Sequence, residues 1–251
     1  MSLSQLRADV RTGCRIANDL FDLGCRSIDD VRALTDDRYK LSPAQRLGLE
    51  YYDDLATKMP RAEVTRFHDL AREAAAQIDP KLLVFAMGSY LRGAAECGDI
   101  DLIVTRDDAD GTTHAGMIRR LWKRLCEQGM IRHSLADPGD WDSLSVKYNG
   151  LCSLPGPGAA MRRIDILGVP WDELPAARIY FTGNDFFNRS MRLKAAHLGL
   201  RLNQRGLFQD VLRGPAKVKA TEGVRVPGVR TEEDIFRALG VPWREPWERL
   251  P

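Results

Sequence analysis

Cys97-Gly98-Asp99-Ile100-Asp101-Leu102-Ile103-Val104 decides the reading of this chain. Its apolar positions and alternation predict a strand over Asp99 to Val104. Alternate residues of a strand share a face. Asp99 and Asp101 therefore project together, with Ile100 and Leu102 on the opposite, buried side. Two neighbouring carboxylates resist ionising together unless a cation neutralises them. A divalent ion with oxygen ligands answers that need, and Mg²⁺ suits a site whose shell is completed by phosphates. GDID alone is also how a solvent-facing acidic strand reads, so its surroundings must decide.

Downstream, RRIDI at 162–166 opens a further apolar strand, over Arg162 to Val169. The same parity places Arg163 and Asp165 on one face and Ile164 and Ile166 behind. If the two strands are sheet neighbours, three carboxylates converge. Three acids can hold two cations, one activating a 3′-hydroxyl and one bound to a triphosphate. Upstream, the strand Leu82 to Met87 breaks at GSYLRG, 88–93. Gly88 and the short helical turn after it suit close approach of phosphate to backbone N–H groups. Ser89 adds a hydroxyl and Arg92 a forked cation. A strand, GSxxRG and then GDID on the next strand is a specific combination, where GS alone is weak.

Around this centre the chain is mixed α+β. Ser42-Pro43-Ala44-Gln45 is a capping box, followed by the apolar stripe Leu47, Tyr51 and Leu55 up to Pro60. A second helix carries Phe67, Leu70, Ala74 and Ile78, and a third runs from Thr113 to Gln128. Residues 132–148 read as a polar excursion ending in a turn at Asn149-Gly150. The last third opens with Ile179 to Thr182, followed by a helix from Gly183-Asn184 to about Gly199. Thr231 caps a final helix through Leu239.

Composition narrows the class. With 251 residues, 44% hydrophobic and 29% charged, the chain reads as an ordinary globular protein of one large or several small domains. No apolar run reaches the roughly 20 residues of a membrane span, and no signal-peptide pattern begins the sequence. A soluble intracellular protein without membrane partners is expected. The cysteines Cys14, Cys25, Cys97, Cys126 and Cys152 form no CxxC pair, and the four histidines are scattered. That pattern excludes a disulfide framework and a structural zinc site. Net charge is only +2, but no acid occurs from Phe186 to Gln209, where Arg189, Arg192, Lys194, Arg201 and Arg205 fall. Arg213, Lys217 and Lys219 extend this stretch, which faces either phosphates or solvent.

Taken together, GSYLRG, CGDIDLIVT, LPGPG (154–158), RRIDI, YFTG (180–183), FNRSMR (187–192) and REPWER (244–249) stand in the order found in DNA polymerase family X. The chain resembles the nucleotidyltransferases of that family, and its lambda branch most. The resemblance implies helical fingers over about 1–60, a nucleotidyltransferase palm with a small mixed sheet over 61–169 and a mixed α/β thumb over 170–251. It implies template-directed addition of dNTPs to a primer 3′-hydroxyl with two Mg²⁺ ions, Mn²⁺ substituting. The expected partners are gapped or primer-template DNA, dNTP and repair or end-joining proteins, for a monomer resident in the nucleus.

By the same resemblance, Asp99, Asp101 and Asp165 match the metal ligands, and Arg163 orients the third aspartate and the primer end. Ser89, Arg92, Gly98 and Gly88 match the triphosphate site, and Lys58 stands where an arginine usually assists it. Tyr180, Phe181 and Gly183 match the segment lying against the nucleotide sugar. Asn188 reaches the base edge, and Arg189 and Arg192 approach the template. Asp185, Asn188, Arg189 and Arg192 also follow helical spacing as one polar stripe, distinct from the apolar stripe of Phe187, Met191 and Ala195.

Thr12-Gly13-Cys14-Arg15-Ile16-Ala17, followed by Leu23-Gly24, resembles a helix-hairpin-helix that grips DNA backbone, with Gly13 and Arg15 as contacts. Arg11 and Cys14 depart from that pattern, which also reads as a packed helical hairpin. Leu91 replaces a frequent arginine of the GSxRRG pattern. Nothing before residue 11 resembles the family's lyase domain and no BRCT domain is present, so lyase activity is not expected of this chain. Two other readings remain: template-independent terminal transfer, which usually goes with a longer palm loop and a tryptophan at the YF pair, and a non-catalytic DNA end-binding module.

Overall fold

The computed structural model describes residues 14–34, 39–212 and 221–249. The chain divides into two compact units, Met1–Ala56 and Thr57–Pro251. In the first, helices α1 (Cys14–Asp22), α2 (Ile28–Arg32), α3 (Pro43–Glu50) and α4 (Tyr52–Ala56) are short and locally specified. Ser27 and Asp30 form a capping box on α2, and Ser42 and Gln45 do the same on α3, with Pro43 in its first turn. These caps satisfy amide groups that a helix start leaves without partners. Leu20, Cys25 and Val31 form a small core. The stripe through Leu47 and Leu55 is split at Tyr51, the C-cap of α3. Gly13 and the side chain of Arg15 lie outside the described residues.

The second unit is built on a five-stranded sheet in the order β2-β4-β7-β6-β5. Its strands are β2 (Leu82–Ala86), β4 (Ile100–Arg106), β5 (Ile131–Ala136), β6 (Lys147–Cys152) and β7 (Arg162–Gly168). A separate two-residue pairing joins β1 (Met59–Pro60) to β3 (Glu96–Cys97). Only β4 and β7 run parallel; the other neighbours are antiparallel. Ile100, Leu102, Val104, Ile164 and Ile166 point to one face, where α5 (Arg61–Ala76) and α7 (Met117–Glu127) cover them. Val64, Phe67 and Ala71 of α5 and Ile118, Leu121 and Leu125 of α7 close this core. On the opposite face Ile103 packs with Met87, Val169, Leu174 and Ala177. The alternation along β4 thus separates the face packed on α5 and α7 from the face that carries Asp101.

Three expectations need correction. Residues 132–148 are not a polar excursion, since β5 and β6 lie at its two ends. Asn149 and Gly150 form no turn; they sit inside β6, opposite Asp165 and Ile164 of β7. A side chain at position 150 would collide with Tyr148 Oη and with the His133 carbonyl 2.7 Å away. Glycine here serves close backbone approach rather than chain reversal. The strand bearing GDID also begins one residue late: Asp99 precedes β4.

After the sheet come α8 (Leu174–Thr182), α9 (Asp185–His197), a three-stranded sheet β8 (Arg201–Asn203), β9 (Gly206–Gln209) and β10 (Val224–Arg225), and α10 (Glu232–Ala238). Ile179, Met191, Ala195, Leu207, Ile235 and Phe236 form their common core. The segment Ile179 to Thr182 is the end of a helix that starts at Leu174, with Pro175 in its first turn. Thr231 and Asp234 cap α10 reciprocally, as its sequence signals. Arg213, Lys217 and Lys219 lie outside the described residues. No helix of the described residues is long and apolar enough to cross a membrane.

Candidate active site

The parallel pairing of β4 and β7 sets Asp101 directly opposite Asp165, Cα against Cα. Because parallel strands in register keep the same facing, the two carboxylates project side by side from the face opposite the α5–α7 core. Burial first, and the neighbouring Asp165 charge second, push the Asp101 carboxyl up to about 6, with Arg92 opposing. Asp165 Oδ1 is buried with no hydrogen-bond partner. A buried carboxyl oxygen left without a partner beside a second carboxyl group is costly in a protein interior.

Asp99 lies in the turn just before β4, and its carboxylate accepts from the Arg163 guanidinium. Arg163 therefore engages the first aspartate rather than the third. With Asp99 so occupied, no group of three Asp, Glu, His or Cys side chains among the described residues is arranged to hold a metal. The donor set nevertheless suits a hard divalent cation: oxygen ligands only, two of them adjacent and one oxygen unsatisfied.

Gly88 follows β2 with φ +59°, a backbone conformation that favours glycine. A Cβ at this position would run into Asp101 Oδ2. GSYLRG is thereby locked against GDID: the Met87 N–H donates to the Asp101 carbonyl at 2.9 Å, and the turn lies over the carboxylate. Arg92 at the end of this turn donates to the Thr182 carbonyl, beside Gly183. A Cβ at Gly183 would stand 3.2 Å from Arg92 Nη1, so this glycine makes room for the guanidinium.

These groups surround one cleft of about 580 Å³. Gly88, Ser89, Arg92, Asp99 and Asp101 line one side, and Tyr180, Phe181, Gly183 and Asn188 the other. Asn184, Asp185 and Phe186 complete it. The sequence reading had assigned none of these last three to the site, although Asp185 belonged to its polar stripe. Asn188 is buried rather than solvated; its Nδ2 donates to the Tyr180 carbonyl at 2.7 Å and ties α9 to α8. Tyr180 and Phe181 meet edge to face with centroids 4.8 Å apart, and the Arg192 guanidinium lies 4.9 Å from the Tyr180 centroid.

Residues 12–56 match the fingers domain of DNA polymerase lambda, 58–171 the palm of DNA polymerase beta and 177–250 its thumb. The chain belongs to the DNA polymerase beta and lambda family. It is 38% identical over 237 residues to DNA polymerase lambda of Rattus norvegicus, covering 94% of this chain and 40% of that protein. It is 36% identical over 242 residues to DNA polymerase lambda of Arabidopsis thaliana, covering 94% of this chain and 44% of that protein. The chain thus spans about two fifths of the length of these relatives.

Not every expected residue of this beta and lambda family member meets at the cleft. Lys58 is exposed and does not line it, nor do Gly98, Arg163 and Asp165. Arg189 and Arg192 are exposed on α9. Sequence reading missed a buried ion network behind α8. Glu232, at the start of α10, accepts from Arg178 at 2.7 Å and from Arg249 at 2.9 Å. Arg249 is fully buried among Phe187, Phe236 and Trp243, and its carbonyl accepts from the Asn184 N–H at 3.4 Å. REPWER thus packs against the segment that completes the cleft. The lone Arg178 inside an otherwise apolar helix was the available signal.

Proposed function

We propose that the chain is a template-directed DNA polymerase, a nucleotidyltransferase that fills short gaps in DNA during repair or end joining. The reading is carried by one observation: Asp165, its Oδ1 buried and unsatisfied, stands in register beside Asp101, which lines the cleft that also holds Ser89 and Arg92. Membership of the beta and lambda family supports it. A primer 3′-hydroxyl attacks the α-phosphorus of a dNTP in line, and pyrophosphate leaves.

Asp99 and Asp101 would hold two Mg²⁺ ions, with Asp165 a ligand of the one at the primer end, and Mn²⁺ can substitute. Bound ions supply neutralisation of the triphosphate and a lowered pKa for the 3′-hydroxyl. The Asp99 carboxylate exchanges Arg163 for this role, which frees Arg163 to face the primer terminus. Ser89 and Arg92 bind triphosphate oxygens, Arg92 as a charge-assisted fork. Tyr180, Phe181 and Gly183 flank the sugar, and Asn188, fixed by its bond to the Tyr180 carbonyl, approaches the base. Positioning and charge stabilisation provide most of the acceleration, as in phosphoryl transfer generally. Lys58, Gly98, Arg189 and Arg192 are assigned to triphosphate and template binding, and Gly13 and Arg15 to a helix-hairpin-helix on DNA. The proposed domains are fingers at 1–60, palm at 61–169 and thumb at 170–251, in a monomeric nuclear enzyme.

Primer extension on single-nucleotide-gapped DNA, with the template strand present or omitted, tests the reading. Incorporation set by the templating base supports it. Extension that ignores the template would favour terminal transfer, and DNA binding with no incorporation in Mg²⁺ or Mn²⁺ would favour a silent end-binding module.

A further inference from the structure

The two consecutive phenylalanines at the start of α9 have opposite fates. Phe187 packs against Phe236, with near-parallel rings 6.1 Å apart, and joins the core of the last third. Phe186, about 100° around the helix, is 65% exposed. It is also one of the residues lining the cleft that holds Asp101, Ser89, Arg92 and Asn188. A large ring left in water forgoes the favourable transfer of its apolar surface until a flat partner covers it. Here that ring stands at the rim of a polar cleft.

The surroundings define the partner. Arg189 follows Phe186 by one helical turn, is exposed, and makes no ion pair among the described residues. Arg192 is exposed beyond it, with its guanidinium over the Tyr180 ring. Asn188 supplies an amide fixed at the cleft wall. An exposed aromatic face with an exposed guanidinium one helical turn away, at a cleft that also holds Arg92, fits a molecule that alternates flat rings with phosphates. A peptide or lipid would need a continuous groove, and the nearest exposed apolar neighbour on this helix, Leu193, is two turns away.

We propose that Phe186 is a base-stacking platform: its ring covers the face of a nucleobase held at the mouth of the cleft. The proposal rests on the polymerase reading for the presence of that base, and it adds a base-binding contact to it. The base belongs either to the DNA or to the incoming nucleotide. Both present the same π-face, and the test separates them.

The full chain and its Phe186→Ala, Phe186→Leu and Phe186→Trp variants are compared by three binding measurements. These are anisotropy of single-nucleotide-gapped DNA, the same with abasic residues walked through the templating position and its two neighbours, and dATP affinity for the DNA complex. Stacking on a DNA base gives roughly a 5- to 100-fold loss of DNA affinity in Phe186→Ala that vanishes when the abasic residue occupies the stacked position. Stacking on the nucleotide gives a comparable loss for dATP with DNA affinity unchanged. In either case Phe186→Trp retains affinity and Phe186→Leu does not. The proposal is overturned if Phe186→Ala binds DNA and dATP within twofold of the parent chain. It is equally overturned if any loss is the same at every abasic position with dATP unaffected, or if leucine serves as well as phenylalanine. A parent chain that binds both ligands but incorporates nothing sinks the polymerase reading alone, because every arm here measures binding.

Discussion

Asp101 and Asp165 are paired in register across the parallel strands β4 and β7. Everything else at the cleft is arranged around that relationship. The apolar residues alternating with them anchor both strands in the α5–α7 core, so neither carboxylate can retreat by a strand slip without exposing Ile100, Ile164 and Ile166. The pair is therefore held together despite its repulsion, and Asp101, through burial first and its neighbour second, resists ionisation. Such enforced proximity is costly in a protein that has no use for it.

Gly88 is the tightest expression of this arrangement. Replacing it with alanine sets a methyl group into Asp101 Oδ2 at a backbone conformation that also disfavours a side chain. A carboxylate displaced by about 1 Å costs on the order of 100-fold in turnover. Single-turnover kinetics of Gly88→Ala should show that loss, with affinity for gapped DNA unchanged.

Arg249 is expected to matter for stability. It is fully buried, and removing it strips Glu232 of one of its two guanidinium partners. Loss of one partner of a buried pair costs about 3–5 kcal/mol. Arg249→Met should lower the midpoint of thermal unfolding by roughly 10 °C, taking about 2–4 °C per kcal/mol for a domain of this size. Unchanged melting by calorimetry would mean that the aromatic cage, not the ion pair, holds this segment.

A second charged cluster lies at the far end of β4 and contributes to acid sensitivity. Hydrogen bonds from Arg106, then from Lys81 and the Thr112 N–H, hold the Asp110 carboxyl far below the usual carboxylate range. The Lys81 N–H, then Arg106, lowers Asp79 as well. Folded values below unfolded ones mean stability that is complete above about pH 4 and lost as pH falls through the folded values. Denaturant melts from pH 6 to pH 2 should show the parent chain losing this contribution below about pH 4. Asp110→Asn should start less stable at pH 6 and lose less on acidification.

Much of this was legible in the sequence, and what was missed has physical reasons. GDID and RRIDI signal their strands because both alternate carboxylate with branched apolar residues that face the α5–α7 core. Their pairing could only be posed as a condition, since register is a property of two strands. β5 and β6 escaped notice because β5 carries Arg132, His133 and Ser134 and the pair shifts register twice. Asn149-Gly150 carries a strong turn signal, which the sheet overrides by using the glycine for close approach. Of the polar stripe on α9, Asp185, Arg189 and Arg192 are exposed, whereas Asn188 turns inward to the Tyr180 carbonyl. The Arg178–Glu232–Arg249 network joins residues 54 and 17 positions apart, and no local pattern announces it.

The most direct test replaces Asp165 with alanine and follows single-nucleotide incorporation on gapped DNA beside binding of the same DNA. Incorporation should fall below detection while DNA affinity stays within a few-fold of the parent chain. Turnover retained in Asp165→Ala would contradict the account, because the acid opposite Asp101 would then have no part in the chemistry.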